Sequence, residues 1–351
     1  MTAAIPTIVL GGTGYVAGEL LRLLAGHPHL QVTGVMSESR AGARIADMFP
    51  QLQHSYGDLC FGTKENMLGL LSGKVALFSA APHGASAALI AEFIAGAERS
   101  GCELTVVDVS ADFRYSTANA YAQVYGHDHG APEILDRFAS GLPEHVGTTD
   151  KPHIGHPGCF ATSLLLAAMP LLQLEIADRD LYAVGITGST GSGRTPAPGT
   201  HHPERHSNLF AYKALGHRHA PEVAGLCADQ TGTRPTLHFI PHSGPFARGI
   251  HMTMQATMTS PQSADDIRDA LANFYEGNPF VLVQDGTPRI KNVVGSNYAH
   301  IGVATDSDTL AVFVVIDNLV KGAAGGAMQW MNLKLGMDET TGLAGPALAW
   351  T

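Results

Sequence analysis

A short apolar run, Thr7-Ile8-Val9-Leu10, leads directly into Gly11-Gly12-Thr13-Gly14-Tyr15-Val16-Ala17-Gly18. Glu19-Leu20-Leu21-Arg22-Leu23-Leu24 follows and stops near Gly26-His27-Pro28. No other stretch restricts the fold as much. Strand, glycine turn and helix in that order open a parallel α/β sheet, and they are the context a dinucleotide-binding fingerprint requires. Gly11 and Gly14 let the backbone approach a pyrophosphate at the helix N-terminus, where unpaired N–H groups point outward. Ala17 stands at the third, packing position of the fingerprint, with Gly18 behind it, and alanine is tolerated there. The expected cofactor contacts of this turn are Gly11, Thr13, Gly14, Tyr15 and Val16.

The pattern continues through Asp108. Leu30 to Met36 reads as a second strand. It ends in Ser37-Glu38-Ser39-Arg40, where an NAD site would place an acidic residue on the ribose. Ser37, Ser39 and Arg40 suit a 2′-phosphate instead, which points to NADP. Glu38 faces either solvent or a ribose. Lys74 to Ser79 and Leu104 to Ser110 are further strands, with a helix from Ser86 to Ala97 between them. Ligands of such sheets gather at the carboxyl ends of strands. Arg114 lies there, either as an anion holder or as the ion-pair partner of Asp112 or Asp108.

His156-Pro157-Gly158-Cys159-Phe160-Ala161-Thr162-Ser163 then runs into an apolar stretch, Leu164 to Met169. Pro157 disfavours helix before it and Gly158 allows a tight turn, so a helix begins at about Cys159. The positive end of a helix pushes a thiol toward thiolate. On spacing alone, Cys159 is either a nucleophile or a small buried residue at a helix start.

Beyond Cys159 the pattern changes. Leu181 to Thr187, Leu237 to His242, Gly249 to Met258, Val281 to Val283 and Leu310 to Ile316 read as strands, with an amphipathic helix over 264–275. This half looks antiparallel, and it predicts a second, α+β domain. The expected division is a Rossmann-type domain over 1–157 and an α+β domain over 158–319. Gly188-Ser189-Thr190-Gly191-Ser192-Gly193-Arg194 is either a linker or a loop offering N–H groups to an anion, with Ser189 and Gly191 as candidate cofactor contacts. The loop Thr195 to His206 is broken by prolines. Its His201, His202, Glu204 and His206 have no second ligand cluster, so no metal is expected. Gly216-His217-Arg218-His219-Ala220-Pro221-Glu222 is the best candidate for a base that partners Cys159. His217 and His219 are not separable by sequence, though Glu222 could orient His219 from the first helical turn. Asp317-Asn318-Leu319-Val320-Lys321-Gly322-Ala323 opens a closing helix of small residues.

Bulk properties exclude some classes. The formal charge is −10 over 351 residues, which favours neither nucleic acid nor an anionic membrane. The four cysteines, Cys60, Cys102, Cys159 and Cys227, lie far apart, as free thiols in a reducing compartment do. The N-terminus has no signal-peptide pattern, and no apolar stretch reaches membrane-spanning length. A cytoplasmic location is expected.

With these motifs quoted, the chain resembles the N-acetyl-gamma-glutamyl-phosphate reductases, within the wider group that includes aspartate-semialdehyde dehydrogenases. The matching segments span nearly the whole chain and include Gly141-Leu142-Pro143-Glu144, Pro245 to Ile250 and Gly295-Ser296-Asn297-Tyr298. The resemblance implies NADPH-dependent reduction of an acyl phosphate to an aldehyde in arginine biosynthesis. It makes Cys159 the nucleophile and the Gly216–His219 stretch the acid/base. It also implies a homodimer or homotetramer, with the Rossmann-type domain completed by 320–351 and with 158–319 as the catalytic and dimerisation domain. Asn318 joins the expected cofactor contacts, and Arg114, Arg248 and Glu222 the expected substrate or phosphate contacts. The family motif has Asn before Pro-Gly-Cys, and here His156 stands there. The loop from Gly199 to Arg205 resembles that of sister reductases acting on carrier-linked aminoadipyl phosphate in lysine biosynthesis, which leaves the substrate's chain length and amino-group cap open. A Cys–His hydrolase or acyltransferase is the alternative of another class, but it leaves the N-terminal glycine turn without a role.

Overall fold

The computed structural model describes residues 4–350. The chain divides into two units. The first holds the chain up to Ser140, then Thr148–His156 and Ala324–Ala344; the second holds Gly141–Gly147, Pro157–Ala323 and the residues from Gly345 onward. The chain therefore crosses between units at His156/Pro157 and Ala323/Ala324. Relative to the expected division, 141–147, Pro157, 320–323 and the residues from Gly345 onward belong with the second unit.

The first unit is built on a six-stranded sheet in the order β2-β1-β3-β4-β6-β5. Its strands are β1 (Ile5–Leu10), β2 (Leu30–Val35), β3 (Lys74–Ser79), β4 (Glu103–Asp108), β5 (Phe138–Ser140) and β6 (His153–Gly155). Every pairing is parallel. Parallel strands are covered on both faces, which explains why Val75 to Phe78 and Ile8 to Leu10 are continuous apolar runs with no exposure. The chain leaves β1 for β2 on one side and returns as β3 on the other. That reversal places a ligand crevice beyond the carboxyl ends of β1 and β3. Helices α1 (Tyr15–Leu24) and α2 (Ser86–Ser100) cross between strands, and α2 stops at the left-handed Gly101. The helix Gly325–Lys334 joins this unit through a buried hydrogen bond, 3.0 Å long, between Asn332 Oδ1 and the His27 ring.

The second unit is a seven-stranded sheet in the order β11-β12-β13-β10-β7-β9-β8. Its strands are β7 (Asp180–Thr187), β8 (Phe210–Ala211), β9 (Thr236–Ser243), β10 (Ile250–Thr257), β11 (Val281–Val283), β12 (Ala299–Asp306) and β13 (Thr309–Ile316). It is mixed rather than antiparallel: β7 runs parallel to β9, and β11 to β12. Helices α3 (Cys159–Gln173), α4 (His219–Thr231) and α5 (Ala264–Phe274) accompany the sheet. The strands alternate. Leu181 and Ala183 of β7 and Met252 and Met254 of β10 join the core with α3, while Tyr182 and Val184 point to the other face and are exposed. Nearly every residue of α3 is buried, so its apolar run shows no amphipathic stripe. Among the described residues, no helix is long and apolar enough to cross a membrane.

Candidate active site

In the second unit the turn before α3 is held from several sides. Gly158 takes the N-cap position with φ −68° and ψ 159°, and no side chain caps the helix. The Gly158 N–H donates to Glu222 Oε1 at 2.8 Å. Cys159 is the first helical residue and is half-buried. The helix dipole thus acts on its sulfur. The contrast with Cys227 is informative. That thiol is fully buried, and burial pushes it up to about 12, which leaves it protonated and inert.

The segment after β13 closes over Cys159. Val320–Ala324 forms a single π-helical turn, a form that often marks functional sites. A Cβ on Gly322 would stand 2.8 Å from the Cys159 Cβ, so only glycine lets the backbone lie that close. Asp317 anchors the turn. Its carboxylate accepts the N–H groups of Gly295, Leu319 and Val320. It also accepts Arg248 Nε at 3.0 Å and Arg248 Nη2 at 3.1 Å. Lys321 is buried and pairs with the buried Glu144.

The histidines of the Gly216–Glu222 stretch lie beside this turn in the same unit. His217 Nδ1 accepts the backbone N–H of His219 at 3.2 Å, closing the start of α4. Burial lowers the His217 pKa to about 4, with Arg218 and Lys213 adding to it, so the ring is neutral near pH 7. The His219 ring lies 4.6 Å from that of His217 and 6.4 Å from Phe160. Both histidines are under a tenth exposed. Tyr212 packs its ring 5.7 Å from His217. Its hydroxyl is raised by burial first and then by the charge of Cys159. Sequence reasoning passed over Tyr212 because nothing in its spacing sets it apart from a strand residue.

Other expected residues have different placements. Asn318 is occupied at both ends, accepting the Gly249 N–H and donating to Thr190 Oγ1. Ser189 and Gly191 sit in a 3-10 turn, where the Ser189 N–H donates to Phe246 O and that of Gly191 to Gly188 O. Gly188 is tight against Ala247, and the loop is a fitted part of the unit rather than a linker. Arg248 is the ion-pair partner of Asp317. Arg114 belongs to the first unit. It is buried and donates to the carbonyls of His156 at 2.8 Å and Val109 at 2.9 Å. Those bonds tie down the chain just ahead of Pro157. His156 itself is fully buried, and its N–H donates to Asp108 O at 2.7 Å.

In the first unit, the turn after β1 has the shape that a pyrophosphate needs. Gly11 has φ +70°, and a Cβ there would meet the backbone of Ala80 and Ala81 at 2.6 Å. Gly14 caps α1 without any side-chain bond and has open space around its Cα, leaving Tyr15 and Val16 at an uncapped helix start beside Thr13. Gly18, rather than the Ala17 position, makes the close packing contact, against the Phe49 ring. At the end of β2, Ser37 is buried while Ser39 and Arg40 are exposed. Glu38 accepts the Lys64 backbone N–H at 2.7 Å and so turns to a neighbouring helix start. The His202 and His206 rings are 5.2 Å apart, and among the described residues no group of His, Cys, Asp and Glu is placed to hold a metal.

Residues 7–146 match the NAD-binding domain of semialdehyde dehydrogenases, and residues 159–318 match the semialdehyde dehydrogenase dimerisation domain. The chain is 39% identical over 343 residues to an N-acetyl-gamma-glutamyl-phosphate reductase of Pseudomonas fluorescens, covering 96% of this chain and 97% of the relative. Against the enzyme of the same name from Azotobacter vinelandii it is 39% identical over 347 residues, covering 97% and 98%. Among solved structures, aspartate semialdehyde dehydrogenase II of Vibrio cholerae, complexed with ASA, superposes with a TM-score of 0.68 at 14% identity, over 95% of this chain and 99% of that one. Aspartate semialdehyde dehydrogenase of Candida albicans with NADP gives 0.66 at 16% identity, over 93% and 96%.

Proposed function

The chain belongs to the semialdehyde dehydrogenase family of nicotinamide-dependent oxidoreductases, and from that premise we propose that it reduces N-acetyl-gamma-glutamyl phosphate with NADPH to N-acetylglutamate 5-semialdehyde and phosphate, in arginine biosynthesis. The observation that carries this reading is Cys159 at an uncapped helix start, under a glycine that admits nothing larger.

The Cys159 thiolate attacks the acyl carbon, the C–O bond to phosphate breaks, and a thioester forms. The oxyanion of the tetrahedral species forms at the start of α3, where backbone N–H groups are available to it. Bound NADPH supplies the hydride that reduces the thioester. His219 gives a proton to the resulting alkoxide oxygen and takes it back as the hemithioacetal collapses, which releases the aldehyde and regenerates the thiolate. Glu222 holds Gly158 and so fixes the direction of the sulfur. His217, neutral and bonded to the backbone, is a positioning residue. Tyr212 stands close enough to Cys159 to feel its charge. Gly11, Gly14 and the start of α1 fit the pyrophosphate, and exposed Ser39 and Arg40, with Glu38 turned to Lys64, fit the 2′-phosphate of NADP. The exposed apolar face of the seven-stranded sheet supports a homodimer, or a tetramer built from it. The 39% identity to glutamyl-phosphate reductases favours this substrate over a carrier-linked aminoadipyl phosphate.

The test follows phosphate-dependent oxidation of N-acetylglutamate semialdehyde. Cys159→Ser loses nearly all turnover but still quenches or shifts NADPH fluorescence on binding, and His219→Asn loses roughly 10²-fold or more. Full activity in Cys159→Ser removes the assignment. Turnover with carrier-linked aminoadipate semialdehyde alone moves the chain to the sister reaction.

A further inference from the structure

Arg205 ends the short helix His202–Arg205 in the second unit, within the proline-broken histidine loop. It is buried, and Nε, Nη1 and Nη2 all lack a hydrogen-bond partner. A guanidinium stays charged and offers five donors but no acceptor. A cation withdrawn from water with no donor satisfied is costly, and buried polar groups almost always have partners. The guanidinium Cζ lies 6.0 Å from the centroid of the Phe210 ring. Phe210 also lines a cavity of about 450 Å³, together with Pro198, Gly199, His201, Glu204 and Asn208.

We infer that Arg205 is a binding residue for a carboxylate, and that the carboxylate is the non-reacting one of the acyl-phosphate substrate. The second half of this statement rests on the function proposed above. A planar fork of donors matches a carboxylate bidentately. The location suits the far end of the substrate rather than its phosphate. Phe210 lies in β8, the strand at the edge of the sheet. Tyr212 continues that ladder through its N–H to Pro241 O. Two residues of strand span roughly 7 Å, comparable to an extended glutamyl chain. At the Tyr212 end are His217 and the charge of Cys159. At the Phe210 end is Arg205. A substrate lying along this edge would bring its acyl phosphate to the thiol and its carboxylate to the guanidinium.

The experiment compares the wild-type enzyme with Arg205→Met on two aldehydes, N-acetylglutamate semialdehyde and 4-acetamidobutanal, which is the same chain without the carboxylate. The kcat/KM for the carboxylated aldehyde falls roughly tenfold or more in the variant, the scale of a lost charged hydrogen bond. The ratio between the two aldehydes, large in the wild type, collapses toward one. Equal losses on both aldehydes overturn the proposal, as does a rise in the KM of phosphate alone. Two thermal measurements do not depend on turnover. Without ligand, Arg205→Met melts no lower than wild type, because an unpartnered charge has been removed; a lower melting point means a structural arginine and overturns the site. Glutarate raises the wild-type melting point and leaves that of Arg205→Met unchanged; no shift in the wild type also overturns it. If neither aldehyde is oxidised by the wild type but glutarate distinguishes the two proteins, the substrate reading fails and the carboxylate site stands.

Discussion

His217 and His219 are neighbours, their rings 4.6 Å apart, and one ring nitrogen of His217 is already committed. His217 accepts a backbone N–H through Nδ1 and is buried, so protonation would break a bond and place a charge among apolar rings. Its pKa near 4 follows. In the unfolded chain the same ring titrates near 6.5. Between those values the unfolded state binds a proton that the folded state does not, so stability falls as pH drops from about 6.5 toward 4, by about 1.4 kcal/mol per pH unit for this group. His217→Asn keeps an acceptor for the His219 N–H through the same local turn and removes the titration. Urea denaturation midpoints at pH 7, 6 and 5 should decline less steeply in the variant than in the wild type. An unchanged slope means that His217 is already protonated in the folded protein.

At the scale of elements, the start of α3 and the π-helical turn Val320–Ala324 make one fitted joint around Cys159. Gly322→Ala tests it. The added methyl would meet the Cys159 Cβ at 2.8 Å and the Cys159 Cα at 3.0 Å, both on a helix with no room to retreat. The backbone itself is helical there, so an alanine in isolation would be harmless or mildly favourable. The cost is therefore local to the cysteine: kcat falls by roughly 10²-fold, the scale associated with a small misplacement of reacting groups, while NADPH affinity holds. A loss confined to KM for NADPH would place the effect elsewhere. Much of this joint was legible beforehand. Pro157 and Gly158 announce the helix start, and Asp317 to Ala323 reads as a distinct segment. What could not be read was that the closing helix starts with a π-turn, since residue types there suit either form. The strands Phe138–Ser140, His153–Gly155, Phe210–Ala211 and Ala299–Asp306 were also missed. The first three are too short to show a period of two, and Gly302 interrupts the fourth. The partners of Arg248 and Arg114 could not be read for another reason. An arginine's chemistry is the same whether it holds a ligand or a carbonyl, and only its neighbours in space decide.

At the scale of the whole molecule, strands β1 and β3 of the first unit were visible as unbroken apolar runs. The second unit's one-sided sheet was visible in alternation, but its mixed directions were not, because alternation does not encode strand polarity. That one-sidedness has a consequence. The face carrying α3 buries Leu181, Ala183, Met252 and Met254. On the opposite face Tyr182 is 54% exposed and Val184 42%, and the Tyr182 ring stacks on His238 across 4.6 Å. Large exposed apolar side chains next to one another on a central strand mark an association surface, and a sheet face meeting its own copy about a two-fold axis gives a closed dimer. Tyr182→Glu with Val184→Lys places opposite charges on adjacent outward positions of β7, where the side chains enter no core of their own chain. Sedimentation velocity should show the wild type as a dimer or a tetramer and the double variant shifted toward monomer at micromolar concentration, with the far-UV spectrum retained. A variant that sediments as the wild type does would mean that this face is not where copies of the chain meet.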